Sequence, residues 1–529
     1  MEKKTLIKAG AGIAVVAAAL VAYRTFGWGH WMGAANNLRL DLSSPDALIV
    51  TKSLSTLPRD LLTIPLARDV LREDFLFYYE QNEDRLGLKG SLRRIAYEHE
   101  LGWGDQLIRM VLDQPADVAL WRDADGSLKH FAIAVSRSQL TRLIEEAGKV
   151  ALKDAQMRLA GTLAVDGADV SVFALEYAYA RTLLFAARGD RLVILSDPGM
   201  LLGGSDGTKI DDKAEKVVAD LLTKDAARQH RFHDQFHLGR DAVGGHSIAV
   251  KADFLSFGYQ PFFGGVQALR FDFSKGAWRS QALLDGAKLG KGAYDASALW
   301  AVLPHNPSAC FVVPADWTAM QPVLKRIDAK TSLQPLAAQM SGPAAACWYG
   351  DSRLHTPVFV ATRAPAAANA DALLGDLFTA TVGGRGDAPR ATKAGDATRW
   401  QRTIATSQGD AAPTLAAAGN LVVYSADGQL VDRVLAVRRK QAPAVADRLT
   451  DAAHTVGVIA PASLAQLIET EAFGSLPPNQ EPVLRAAADA HLVPRLNALK
   501  KYPPYRMVLK GQPASGIAWA PLEWQPLSR

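Results

Sequence analysis

A chain of 529 residues, 49% hydrophobic and 21% charged, is too long for one ordinary core and too apolar to be disordered. A net charge of +5 over that length, with no Lys/Arg block interleaved with aromatics, argues against a nucleic-acid partner. Two cysteines, Cys310 and Cys347, exclude both a disulfide framework and a C-x-x-C metal site.

The chain opens "MEKKTLIKAGAGIAVVAAALVAYRTFGWGHW". Lys3, Lys4 and Lys8 precede an uncharged run from Ala9 to Tyr23, and Arg24, Trp28 and Trp31 follow it. Ala9, Ile13, Val16, Leu20, Tyr23 and Trp28 read as an uncleaved membrane anchor. The lysines before it predict a single-pass protein of the bacterial inner membrane, with its body in the periplasm. Ala17, Ala18 and Ala19 offer a competing cleavage site, which would leave a very short apolar region. Residues 1–31 therefore stand apart as cytoplasmic tip and anchor.

Next comes "TLPRDLLTIP" (56–65), where Arg59 and Asp60 look at first like reagents. The same proline spacing returns in "HNPSACFVVP" (305–314), with Ser308 and Ala309 in place of the charged pair. What recurs is punctuation, so both stretches predict a turn, a short strand and a helix start.

Residues 74–106 are dense in Glu, Arg, Tyr and His. Glu80, Glu98, His99 and Glu100 would suit general acid–base work if buried together. Leu88, Leu92, Ile95, Ala96 and His99 at helical spacing favour a plainer helix with a solvated face. "ADVALWRDADGSLKHFAIAVS" then ends in a strand, "RSQLTRLIEEAGKVA" predicts a helix, and short alternating runs to residue 197 predict strands. "GGSDGTK" (203–209) imitates a phosphate loop in the wrong residue order, and reads as a connection to a helix opened by Asp211 and Asp212. Val217, Val218, Leu221 and Leu222 mark that helix.

"RQHRFHDQFHLGRD" carries the sharpest chemistry. On a helix His230, His233 and His237 share one face with Asp234 beside them, a donor set suited to zinc. Phe232 and Phe236 would form the buried side, leaving the histidines merely solvated in the plainer reading. "FLSFGYQPFFGGVQALRF" (254–271) reads as aromatic core.

After a linker, "LGKGAYDAS" (289–297), the element order recurs. Trp348 follows Trp121, "AGNLVVYSAD" follows "GDRLVILSD", and "HTVGVIAPASLA" follows "HSIAVKADFLSF". Helix patterns at Leu373, Leu374 and Leu377, and at Leu430, Val431, Val434 and Leu435, complete the parallel. The fold class expected is α+β: a transmembrane helix, then two tandem, distantly similar α+β units with mostly antiparallel sheets, 32–292 and 293–529. Cys310 and Cys347 lie in strand-like runs, either as buried small hydrophobes or as one cross-strand disulfide.

The anchor, "TLPRDLLTIPLARDVLREDFLFYYEQNEDRLGLKGSLRRIAYEHEL" and "GDRLVILSDPGML" resemble the YfaA-like bacterial family of uncharacterised envelope proteins. The resemblance implies an envelope role beside an alpha-2-macroglobulin-like partner, and it carries no catalytic residues. With no H-E-x-x-H or S-x-x-K in the chain, a non-enzymatic binding or accessory protein without a cofactor is expected. The alternative is an envelope hydrolase, working either through a metal at His230, His233 and His237 or through the Glu98–Glu100 cluster.

Overall fold

The computed structural model describes residues 40–69, 114–123, 126, 128–136, 156–178, 181–203, 209–239, 245–255, 264–289, 295–327, 334–364, 370–382, 389–406, 409–474, 476 and 481–527. These fall into two compact units, 40–254 with 268–278, and 255–267 with 279–527.

Ten main strands come first in chain order: β1 (Ala47–Thr51), β2 (Ala116–Arg122), β3 (Leu128–Ser136), β4 (Met157–Val165), β5 (Ala168–Ala178), β6 (Arg181–Arg188), β7 (Arg191–Leu195), β8 (His246–Lys251), β9 (Val266–Ser274) and β10 (Ala277–Asp285). In the first unit nine of them pair antiparallel in the order β9-β8-β1-β2-β3-β7-β6-β5-β4. The strands form where β-branched and aromatic residues alternate with small or polar ones, as in "ADVALWR", which buries Ala119 and Trp121 on one face and Ala116 and Val118 on the other. Gly189, at φ 60°, makes the tight turn between β6 and β7.

Ten more follow: β11 (Ala309–Val313), β12 (Met340–Trp348), β13 (Val358–Arg363), β14 (Arg390–Ala394), β15 (Ala397–Gln401), β16 (Thr414–Ala418), β17 (Leu421–Ser425), β18 (Thr455–Ile459), β19 (Tyr505–Leu509) and β20 (Ile517–Pro526). The second unit pairs them antiparallel as β10-β20-β19-β18-β11-β12-β13-β17-β16-β15-β14. From β19 to β14 this is the pairing order of β9 to β4.

Helices fill the gaps. In the first unit α1 spans Thr56–Leu61, α2 Asp212–Leu222, α3 Ala226–Gln229 and α4 Arg231–Gln235. In the second, α5 spans Ala370–Val382, α6 Gly428–Arg438 and α7 Pro461–Gly474. The amphipathic patterns predicted at α2 and α6 are real: each helix buries its four named apolar residues. The Asp211 carboxylate caps α2, accepting from the Lys213 and Ala214 N–H groups at 3.0 and 2.9 Å. Asp211→Ala should therefore cost about 1 kcal/mol, read as a lower urea midpoint. An unchanged midpoint would show that the cap contributes nothing.

The second unit is covered on both faces. Leu421 and Val423 point to a core with Trp300 and α6, while Val422 points to a core with α5 residues Leu374 and Phe378. Within the first core Cys310 and Cys347, directly opposite in the β11–β12 register, form a disulfide.

Three expectations need correction. The fold class is not a transmembrane helix followed by two tandem α+β units. The described residues are mostly antiparallel sheet, with 24 strands counting two short hairpins. The helix-like patterns were given too much weight: α7, the longest helix described, has 14 residues. The single-pass inner-membrane location, with the body in the periplasm, is not upheld either. Among the described residues no helix is long and apolar enough to cross a membrane. The run chosen as anchor, with Ala9, Ile13, Val16, Leu20, Tyr23 and Trp28, lies outside the described residues.

"TLPRDLLTIP" was misread as well. Thr56–Leu61 is helix α1, and the strand stands upstream at Ala47–Thr51. Pro58 sits in the first turn, where a missing N–H costs nothing. "HNPSACFVVP", by contrast, contains strand β11.

Candidate functional site

Asp117 lies on β2, opposite Val50 of β1 and Ala134 of β3, so its backbone is held from both sides. Period-2 alternation puts it on the same face as Ala119 and Trp121. The α3–α4 segment packs over that face: the Phe232 ring meets Trp121 edge-on, 5.7 Å between centroids. Phe232 and Phe236 are buried, as their spacing predicts.

Several anchors hold this segment. Asp220 accepts from Arg228 Nε at 2.7 Å and pairs with Arg231. The buried Arg191 donates from Nε to the Leu221 carbonyl at 3.2 Å and from Nη2 to the Gln229 carbonyl at 3.4 Å.

This packing brings His230 and His233 to Asp117. His233, 4% exposed, places Nε2 3.0 Å from Asp117 Oδ2. His230 Nδ1 lies 3.9 Å from the same oxygen, and the two imidazole centroids are 4.8 Å apart. Burial raises the Asp117 pKa, but the neighbouring His230 and His233 imidazoles outweigh it and bring the carboxyl down to about 2. As an ionised carboxylate Asp117 accepts only, so His233 Nε2–H is the donor. The Nδ1 atoms of both histidines are buried without a hydrogen-bond partner. Each such orphan costs roughly 1–3 kcal/mol.

Of the four residues predicted as metal ligands, the fold gathers His230 and His233 and leaves out His237 and Asp234. α4 ends at Gln235, and His237 takes a left-handed φ of 48°. Leu238 N–H returns to the His233 carbonyl and His237 N–H to that of Asp234, closing the helix. His237 and Asp234 therefore face solvent. The third member, Asp117, was missed. A carboxylate on the inward, Trp121-bearing face of an apolar strand was the available signal. Glu80, Glu98, His99 and Glu100 lie outside the described residues.

Over residues 6–524 the chain matches a family described as "Uncharacterized protein conserved in bacteria (DUF2138)". The chain belongs to that family. It is 34% identical over 520 residues to "Uncharacterized protein YfaA" of Escherichia coli (strain K12), across 93% of this chain and 92% of that relative. The likeness to YfaA-like proteins read from the sequence is thereby borne out. No solved structure matches the chain.

This DUF2138 chain buries His130 and His246 besides His233, and His246 makes an instructive contrast. His246 on β8 is register partner to Thr51 on β1 and is wholly buried. Its Nδ1 lies 2.7 Å from Thr51 Oγ1, and its Nε2 3.1 Å from Asp60 Oδ2. Thr51 Oγ1 also donates to the Ser53 carbonyl at 2.9 Å. Burial raises the Asp60 pKa, yet the hydrogen bond and charge of His246, with Arg59, leave it below the usual carboxylate range. Every nitrogen of His246 is engaged, so the Asp60–His246–Thr51 line is a staple between α1, β1 and β8. His230 and His233, by contrast, each keep a buried ring nitrogen without a hydrogen-bond partner, as does His130 at Nε2.

Proposed function

We propose that the protein is a non-enzymatic binding or accessory protein that works with a partner protein, an alpha-2-macroglobulin-like one being the kind suggested by the resemblance. The supporting observation is β4. Among the described residues this nine-residue strand pairs only with β5, and its Leu159 is 58% exposed beside a bulge. Arg158 is its one charged residue. Long edge strands with an exposed apolar side chain accept an added strand from another chain. The corresponding edge, β14, is exposed throughout and guarded by Arg390 and Lys393. A photo-crosslinking residue at position 159 should capture the alpha-2-macroglobulin-like protein in cells, while one at 393 should not. No adduct with that protein from position 159 would remove this reading.

The rival reading, a metal-dependent hydrolase, draws on Asp117, His230 and His233. Three protein ligands would leave a position open for water. Hydrolysis that needs added zinc and disappears in His233→Ala would favour it over the binding role.

A further inference from the structure

We infer that Asp117, His230 and His233 form a binding site for one divalent transition-metal ion of the zinc class. One ligand atom from each residue lies within 4.8 Å of the others. Ligand atoms on a tetrahedral ion at 2.0–2.1 Å stand about 3.3 Å apart. The two separations from Asp117 Oδ2, 3.0 Å to His233 Nε2 and 3.9 Å to His230 Nδ1, straddle that value. Two imidazoles on one such ion have ring centres about 5 Å apart. Here they are 4.8 Å apart.

The unpartnered nitrogens make the second argument. Settled histidine–carboxylate pairs use both ring nitrogens, as His246 does. His233 is almost wholly buried, donates through Nε2, and keeps Nδ1 without a partner. His230 Nδ1 is buried without a partner too, though a third of its side chain is exposed and opens the cluster to solvent. An ion held by Asp117 Oδ2, His233 Nε2 and His230 Nδ1 would engage the nitrogen that His230 leaves open.

The donors select the ion. Two imidazoles and one carboxylate suit zinc, cobalt or nickel rather than calcium or magnesium, which take oxygen ligands. The Arg191 guanidinium acts electrostatically on Asp117 and opposes a cation. Its donors are committed to Leu221 and Gln229, so it weakens the site without filling it. The rival hydrolase would rest on this same site, but holding an ion requires neither hydrolysis nor strand addition.

The test titrates chelator-stripped full-length protein with zinc by calorimetry, and with cobalt by visible absorption. One zinc per chain and the intense bands of tetrahedral cobalt are expected. His230→Ala, His233→Ala and Asp117→Asn should each weaken zinc binding by about tenfold or more. His237→Ala should leave it unchanged. Circular dichroism reports whether the buried His233→Ala variant folds, and the half-exposed His230→Ala carries the argument if it does not. No binding by the parent protein, binding that survives His230→Ala with Asp117→Asn, or equal loss in His237→Ala would overturn the inference.

Discussion

Asp60→Ala is expected to destabilise the first unit by about 2–3 kcal/mol, the cost of losing a hydrogen bond to a carboxylate and leaving its buried donor unpaired. Asp60 is 4% exposed and faces a histidine that is wholly buried. Without the carboxylate, the His246 Nε2–H has no acceptor, and α1 loses its tie to β8. Exposed Arg59, paired with Asp60 at 3.5 Å, adds little. The pH dependence has a definite sign. Since the folded-state pKa of Asp60 is lowered, its contribution is full above the ordinary carboxylate value and is lost as pH falls through the folded value. The gap between parent and Asp60→Asn should thus be widest near neutrality and close in acid. Urea unfolding followed by circular dichroism measures both effects, and a loss under about 1 kcal/mol would refute the staple. In a double-mutant cycle, Asp60→Ala and His246→Ala together should cost less than their sum.

Trp300→Ala should destabilise the second unit by about 3–5 kcal/mol. The side chain is wholly buried in the core containing Val434 and the disulfide, and its Nε1 donates to the Thr455 carbonyl at 2.8 Å. Truncation leaves a cavity and unpairs that carbonyl on β18. Trp300→Phe, which fills most of the volume but cannot donate, should lose distinctly less. Val483→Ala, at a side chain 74% exposed, serves as the neutral control, within about 0.5 kcal/mol. If the alanine variant at 300 melts with that control, the packing argument fails.

Local signals were legible where one physical rule acted alone. The 3.6-residue pattern found α2 and α6, and the aspartates before them are caps. Alternation found β5, and the strand expected at the end of "ADVALWRDADGSLKHFAIAVS" is β3. Reading failed where distant residues decide. "TLPRDLLTIP" has a proline that tolerates a helix start or a turn equally, and what makes it helix is the burial of Asp60 against a histidine 186 residues away. The His230–His233 half of the candidate centre was visible as i, i+3 spacing. His237 was lost because one left-handed residue ends the helix, and Asp117 had only its place on an apolar strand to mark it, since His233 lies 116 residues on. For Cys310 and Cys347 the two readings were not rivals, since both residues are core and bonded.

That bond also sets how the chain would answer a mechanical load. Cys310 and Cys347 are 37 residues apart in sequence, and the bond joins neighbouring strands across that interval. Pulled from its ends, the chain would pass force straight through the sulfur bridge and leave the enclosed part of β12 and the helices before it slack. At about 3.4 Å per extended residue, that withholds roughly 120 Å of contour until a reductant opens the clasp.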